Sequence, residues 1–193
     1  MKILTICPST LMDGYDTYSP AATKVLFDNR HVSHIFPGLS PEDDSNTSDE
    51  PIQNIGRISL SGAQSKFSVI VGDDNNLRYT REGEQGTYIL KPRPIGYQII
   101  NKDYCAANEH VTMQIASQVY GIETAPNALC FFEDGKAAYI TRRFDVYPGG
   151  KYKQEDFAAL LGWSKDNGGR LFKYDKSSYE ECAELIHKYV KAA

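Results

Sequence analysis

No uninterrupted apolar run in this 193-residue sequence approaches the roughly 20 residues that a bilayer-spanning helix needs. The opening residues, 1–7, are too short and too weakly cationic for a secretory signal peptide. Both absences lead to the expectation of a cytoplasmic protein. Cysteine is sparse as well. Cys7, Cys105, Cys130 and Cys182 are widely separated and never in CxxC spacing, which argues for free buried thiols over a disulfide framework or a zinc site. An excess of positive charge is also missing. With 21 Lys and Arg against 25 Asp and Glu the net charge is −4, so no bulk attraction draws this chain to nucleic acid or anionic membrane, and only a local basic patch stays open. Neither a GxxxxGK run followed by Ser or Thr nor a GxGxxG opening a helix occurs, which removes the two commonest phosphate-binding signatures.

What is present is an ordinary globular composition. A hydrophobic content of 41%, with 11% aromatic, suffices for a core in one domain or in two small lobes. Residues 1–8 read as a short strand closed by Pro8, and residues 21–28 carry a brief helical pattern through Ala22, Val25, Leu26 and Phe27. His31 and His34 stand three apart, compatible with one helical face and a metal. No third ligand is clustered with them, and surface or partly buried histidines are the plainer reading. Residues 40–51 are acidic and without large apolar side chains, the composition of a linker and the clearest boundary in the chain.

Beyond that boundary a small polar loop with Ser59, Ser61 and Gly62 runs into a strand in which Phe67, Val69 and Val71 alternate with Ser68 and Ile70. Such a loop brings backbone N–H groups close to an anion, because glycine lacks Cβ and short hydroxyls add donors. It is equally the composition of a plain turn. Residues 72–76 form a hairpin signal, and a second polar turn through Gly83 and Gly86 leads to Tyr88-Ile89-Leu90-Lys91-Pro92. Three antiparallel strands in sequence are the economical arrangement. Lys91 is either a solvated strand-end lysine or a point-charge partner for phosphate. A helix is predicted over residues 108–120, with Val111, Ile115 and Val119 on one stripe and Gly121 as its stop. Glu109 then falls in the first turn, where it either complements the helix dipole or forms a salt bridge that holds Lys91. Strands at 127–132 and 137–144 flank an Asp134-Gly135 turn, and the second ends in Arg142-Arg143-Phe144-Asp145. Short helices are expected at 155–162 and 177–190, the latter opened by a Ser177/Glu180 capping box. Its stripe of Tyr179, Cys182, Leu185, Ile186, Tyr189 and Val190 must be covered by the sheet or by a second lobe.

Four motifs in order carry a resemblance: residues 59–66 (Ser-Leu-Ser-Gly-Ala-Gln-Ser-Lys), residues 88–92 (Tyr-Ile-Leu-Lys-Pro), Asn108-Glu109-His110 and residues 142–145. From residue 27 to residue 162 the chain resembles the N-terminal portion of the HipA-like toxin kinases, especially the compact HipT type. The resemblance implies a serine/threonine kinase fold that uses ATP and magnesium, acts on translation proteins such as aminoacyl-tRNA synthetases, and pairs with a DNA-binding antitoxin. It makes Ser59, Ser61, Gly62, Ala63 and Gln64 the phosphate-facing loop, Lys91 the nucleotide-phosphate lysine and Glu109 the helix carboxylate. Arg142, Arg143 and Phe144 become the segment that lines adenine, through backbone contacts and the Phe144 ring. Ser59 and Ser61 match serines whose autophosphorylation ejects the loop in the family, and Ser65 departs from a frequent proline. The larger departure is that no GDxHxxN-like catalytic loop and no later metal-binding Asp motif occurs. Asp156, Asp166, Asn167 and Asp175 do not form that pattern, and Asp166-Asn167-Gly168-Gly169 reads as a turn.

These features lead to an α+β fold, a kinase-like N-lobe with a mostly antiparallel five-stranded sheet and one packed helix, followed by the first helices of a second lobe. The expected divisions are an N-terminal segment and linker over 1–50, a nucleotide-binding lobe over 51–145 and a helical start over 146–193. The leading function is the ATP-binding lobe of a HipA-like kinase without its catalytic-loop half. The alternative is a non-catalytic, pseudokinase-like binding module or toxin-antitoxin partner. Neither direct nucleic-acid binding nor membrane attachment is expected.

Overall fold

In a computed structural model, residues 5–41, 65–94, 100–169 and 171–190 are described. The chain forms two compact units, Met1–Phe144 and Asp145–Ala193. The first is built on a six-stranded sheet of β1 (Ile35–Phe36), β2 (Phe67–Val71), β3 (Leu77–Tyr79), β4 (Tyr88–Pro92), β5 (Asn127–Phe132) and β6 (Ala137–Arg142), in the order β1-β5-β6-β4-β2-β3. The expected five strands are thus one short. The extra strand, β1, lies in the N-terminal segment and pairs parallel with β5, while every other pairing is antiparallel. The expected meander is also corrected, because β4 hydrogen-bonds to β2 and leaves β3 at the edge. Gly86 allows this return. A Cβ there would lie 2.0 Å from Ser68 Oγ, so only glycine lets the turn pass so close to β2.

Strand alternation divides the sheet into two faces. Phe67, Val69 and Val71 of β2, Tyr88 and Leu90 of β4, Ala128, Cys130 and Phe132 of β5, and Ala138 and Ile140 of β6 bury one continuous core. The N-terminal segment covers it. Residues 20–26 form α1 (Pro20–Leu26), started by proline at a position that needs no N–H donor and by Ser19, whose Oγ accepts from Ala22 N at 3.2 Å. Side chains of the sheet meet its last carbonyls: Tyr88 Oη donates to Leu26 O at 2.9 Å, and Arg142 Nη1 to Val25 O at 3.4 Å. Phe27 then packs between Tyr18 and Tyr88, at ring-centroid distances of 5.2 and 5.5 Å. The segment is stitched to β5 by Tyr18 Oη donating to Leu129 O and Ser9 Oγ donating to Asn127 O. Of the strand expected over residues 1–8, residues 1–4 lie outside the described residues, and within residues 5–8 Ile6 forms an isolated bridge with Asp13. His34 meets Thr17 Oγ1 and stands edge-on to Tyr18 and Phe131. Of the linker, residues 42–51 lie outside the described residues, as does the serine-glycine loop at 59–64, while Ser40 is buried and donates its hydroxyl to Asp134 Oδ2 at 2.7 Å.

The other face carries α2 (Cys105–Gln118), preceded by a 3-10 turn at Lys102–Tyr104 and packed on β5 and β6. In the second unit, β7 (Val146–Tyr147) and β8 (Gly150–Lys151) form a small hairpin before α3 (Phe157–Leu160), α4 (Lys165–Gly168), α5 (Phe172–Asp175) and α6 (Tyr179–Tyr189). The expected turn at residues 166–169 is therefore largely the short helix α4, held by a Ser164/Asn167 capping box. The α6 box uses Ser178 and Glu181, one residue later than expected. Its stripe splits: Leu185 is buried, with α6 packed on α3, whereas Tyr179, Ile186, Tyr189 and Val190 are exposed. Among the described residues, no helix is long and apolar enough to cross a membrane, and the four cysteines are free.

Candidate functional site

Register decides which side chains gather on the α2 face. Lys91 of β4 is the cross-strand partner of Tyr139 of β6, and Ile89 is the partner of Thr141, so all four project to the side opposite the core. Lys91 Nζ hydrogen-bonds and ion-pairs with Glu109 Oε1, and it stands 5.2 Å from the centroid of the Tyr139 ring. Both charged side chains keep about a quarter of their surface open or less, at 20% and 25%. A half-desolvated lysine held by one carboxylate and one aromatic face is fixed in direction yet reachable from solvent. Burial, first of all, pushes the Tyr139 phenol up to about 12, with the Glu109 charge adding to it, so that ring stays neutral beside the pair.

Glu109 is not in the first turn of α2, which begins four residues earlier and has no acidic side chain there. Its partner is Lys91, and the dipole alternative is set aside. The stripe prediction for α2 is also overturned. Val111, Ile115 and Val119 are exposed, whereas Ala106 and His110 are the buried positions, with Glu109, Met113 and Gln114 half-buried beside them. The physical reason is that polar groups on the inner face have partners. His110 Nδ1 lies 2.8 Å from Asn127 Oδ1, Gln114 Nε2 donates to the same oxygen at 3.2 Å, and Asn127 Nδ2 donates to Ala125 O. Because Asn127 Oδ1 is the acceptor in this arrangement, the proton sits on Nδ1, and the buried Nε2 finds no hydrogen-bond partner among the described residues. Hydrophobic period alone could not find this network. The only signal was the Asn108-Glu109-His110 motif.

Burial pushes the His110 imidazole below its ordinary value, against the opposing effect of the Asn127 hydrogen bond. The folded state therefore holds it neutral. Below about pH 6.5 the unfolded chain takes up a proton that the folded chain resists, so stability falls as acid is added. Urea midpoints at neutral and mildly acid pH are expected to fall further in the parent than in His110→Gln. Equal shifts in the two proteins would contradict this assignment.

The remaining predicted residues are placed unequally. Ser59, Ser61, Gly62, Ala63 and Gln64 lie outside the described residues. Arg142 belongs to the opposite, core-facing side: its guanidinium forks onto Asp28 at 2.6 and 2.9 Å, and that contact holds it above the ordinary arginine value. Its side chain and the Lys91 ammonium are not brought together. Arg143 N donates to Thr87 O at 2.9 Å, extending the β4–β6 pairing by one step. Phe144 is 78% exposed, an aromatic face open to solvent at the end of the first unit.

The salt bridge between the strand lysine and the helix glutamate is one of the two readings that the sequence left open for Glu109, and comparison with known proteins gives the chain a family. The family model of the HipA-like C-terminal domain matches residues 58–193. The chain belongs to that family. A Haemophilus influenzae protein described as "Putative kinase" is 30% identical over 181 residues, covering 90% of this chain and 49% of that protein. The chain thus spans about half the length of this relative.

Proposed function

We propose that the first unit is the ATP-binding lobe of a HipA-like serine/threonine protein kinase, and that the Lys91–Glu109 pair is its phosphate-binding centre. The pair is the observation that carries the reading. An ammonium pre-aimed by a carboxylate can donate to a phosphate oxygen without first being ordered, which lowers the entropic cost of binding. The β4–β6 end and the exposed Phe144 ring offer backbone groups and an apolar surface for adenine. The family resemblance and the kinase named in Haemophilus influenzae support the class. A protein substrate of the translation apparatus, such as an aminoacyl-tRNA synthetase, and an antitoxin partner follow from the resemblance alone.

Magnesium fits less well. Among the described residues, no group of three or more His, Cys, Asp or Glu side chains is gathered to hold a metal.

One wall of a cleft supports modest affinity, so titration calorimetry with ATP is expected to give a Kd no tighter than about 100 μM. No heat at millimolar ATP would overturn the reading. Phosphoryl transfer needs an aspartate to orient the acceptor hydroxyl, and no catalytic-loop pattern occurs in these 193 residues. Incubation with radiolabelled ATP and magnesium should therefore leave no phosphate on this chain or on an added protein. Incorporation that disappears in Lys91→Ala would show that chemistry resides here after all.

A further inference from the structure

Helix α2 carries two competing faces. Ala106, His110, Gln114 and Gln118 recur every four residues as a seam that runs from the fully buried Ala106 and His110 through half-buried Gln114 to exposed Gln118. One position further along, Val111, Ile115 and Val119 form an apolar stripe that faces solvent. Successive residues of a helix stand about 100° apart, so a turn of α2 by one position would bury the stripe and carry Glu109 about 200° away from the inward direction. Burial of apolar surface favours that turned helix. The observed rotation therefore needs a cause that hydrophobicity does not supply.

Hydrogen bonds along the seam supply it. Asn127, the first residue of β5, is buried, and its Nδ2 donates to Ala125 O at 2.8 Å, which aims Oδ1 at α2. That oxygen meets two groups of the seam, His110 Nδ1 at 2.8 Å and Gln114 Nε2 at 3.2 Å, which fill its acceptor capacity. Gln118 Nε2 continues the line to Gln114 Oε1 at 2.7 Å and to Thr10 O at 3.0 Å, while Ser9 Oγ donates to Asn127 O at 2.8 Å. A turn of the helix would strip Asn127 Oδ1 of both donors, and an unpaired buried acceptor is costly. The same turn would part Glu109 from Lys91.

We propose that His110 is a positioning residue for the nucleotide site, and that its hydrogen bond to Asn127 selects the rotation of α2 that holds Glu109 against Lys91. The inference rests on the nucleotide-binding reading and deepens it. His110 acts through its neighbour Glu109 and so on Lys91. The strands that carry the two anchors are joined through β6, because Asn127 of β5 and Ile89 of β4 both pair with Thr141. Asn127 and Lys91 are thus fixed relative to each other by the sheet, and the rotation of α2 is what the hydrogen bond decides. A leucine at position 110 would still hold the helix down by burial, which is non-directional, and would leave the choice of face to the apolar stripe.

The test compares the whole chain with His110→Leu, His110→Asn and Lys91→Ala, with folding of each checked by circular dichroism. Leucine offers no donor, whereas asparagine places an amide N–H near the position of Nδ1. One readout is calorimetric titration with ATP. The other is the rate at which the thiol introduced by Val111→Cys, combined with each variant, reacts with a maleimide, read in peptides by mass spectrometry. His110→Leu is expected to weaken ATP about fivefold and to slow labelling about tenfold as position 111 turns inward, while His110→Asn retains most of both. With Lys91→Ala weakening ATP, an unchanged labelling rate in His110→Leu overturns the proposal, as does a slowed rate with ATP affinity within about twofold of the parent. A loss in His110→Asn equal to that in His110→Leu overturns it too. If Lys91→Ala leaves ATP binding unchanged, the nucleotide reading has failed and labelling decides alone: a slowed rate upholds the control of α2 by His110, and an unchanged rate ends it. If His110→Leu is unfolded, Gln114→Leu, which removes the second donor to Asn127 Oδ1 from a half-buried position, is judged by the same two readouts.

Discussion

Phe27→Ala is expected to remove about 3–5 kcal/mol of stability, enough to bring a domain with a typical total of about 5–15 kcal/mol close to unfolding. Phe27 follows α1 directly and is 1% exposed, with its ring between Tyr18 and Tyr88. Truncation would lose the transfer energy of a large ring and leave a void. The surroundings cannot collapse into it easily, because Tyr18 and Tyr88 are each tied by their hydroxyls to backbone carbonyls. Val25, two residues earlier on the outer side of α1, is 57% exposed, and Val25→Ala should change stability by less than about 0.5 kcal/mol. Urea unfolding followed by tryptophan fluorescence and circular dichroism measures both. Similar small shifts for the two variants would mean that the N-terminal segment is not part of the core.

The second large effect is on ligand binding. Lys91→Ala should weaken ATP by at least about tenfold, a loss of about 1.4 kcal/mol or more. Two causes add. The variant loses a charge-assisted hydrogen bond to phosphate, and it leaves Glu109 as an uncompensated carboxylate facing the incoming anion. Arg142→Ala gives the contrasting case. That guanidinium lies on the other sheet face, forked onto Asp28, and the role that the family resemblance gives this segment runs through its backbone. Its removal should leave ATP affinity within about twofold. Equal losses in the two variants would break the link between sheet face and function.

How much of this was legible in the sequence varied with the physics of each element. Strands β2, β4, β5 and β6 were readable because alternation is strong where one face is buried, and Asp134-Gly135 marked its hairpin through a left-handed glycine at φ +78°. Strand β1 was not readable, since two residues carry no period and its pairing with β5 is set by tertiary contacts across about a hundred residues of chain. The face of α2 was misread for a different reason. Val111 and Ile115 are directed outward, while Glu109, His110 and Gln114 turn inward to partners on β4 and β5. Pattern reading scores burial by hydrophobicity, and it fails where polar groups are buried in satisfied networks. At the candidate site, a Lys91–Glu109 salt bridge was one of two readings open for that glutamate, and only the geometry selects it.

The most direct test of the central claim is ATP protection of individual lysines from acylation, read residue by residue in peptides by mass spectrometry. The nucleotide-phosphate site predicts that saturating ATP slows modification of Lys91 selectively, while an exposed lysine of α1 on the other side of the sheet, Lys24, reacts as before. If Lys91 is acylated at the same rate with and without ATP, or is protected no more than Lys24, then the Lys91–Glu109 pair is a structural ion pair and the ATP-binding account is wrong.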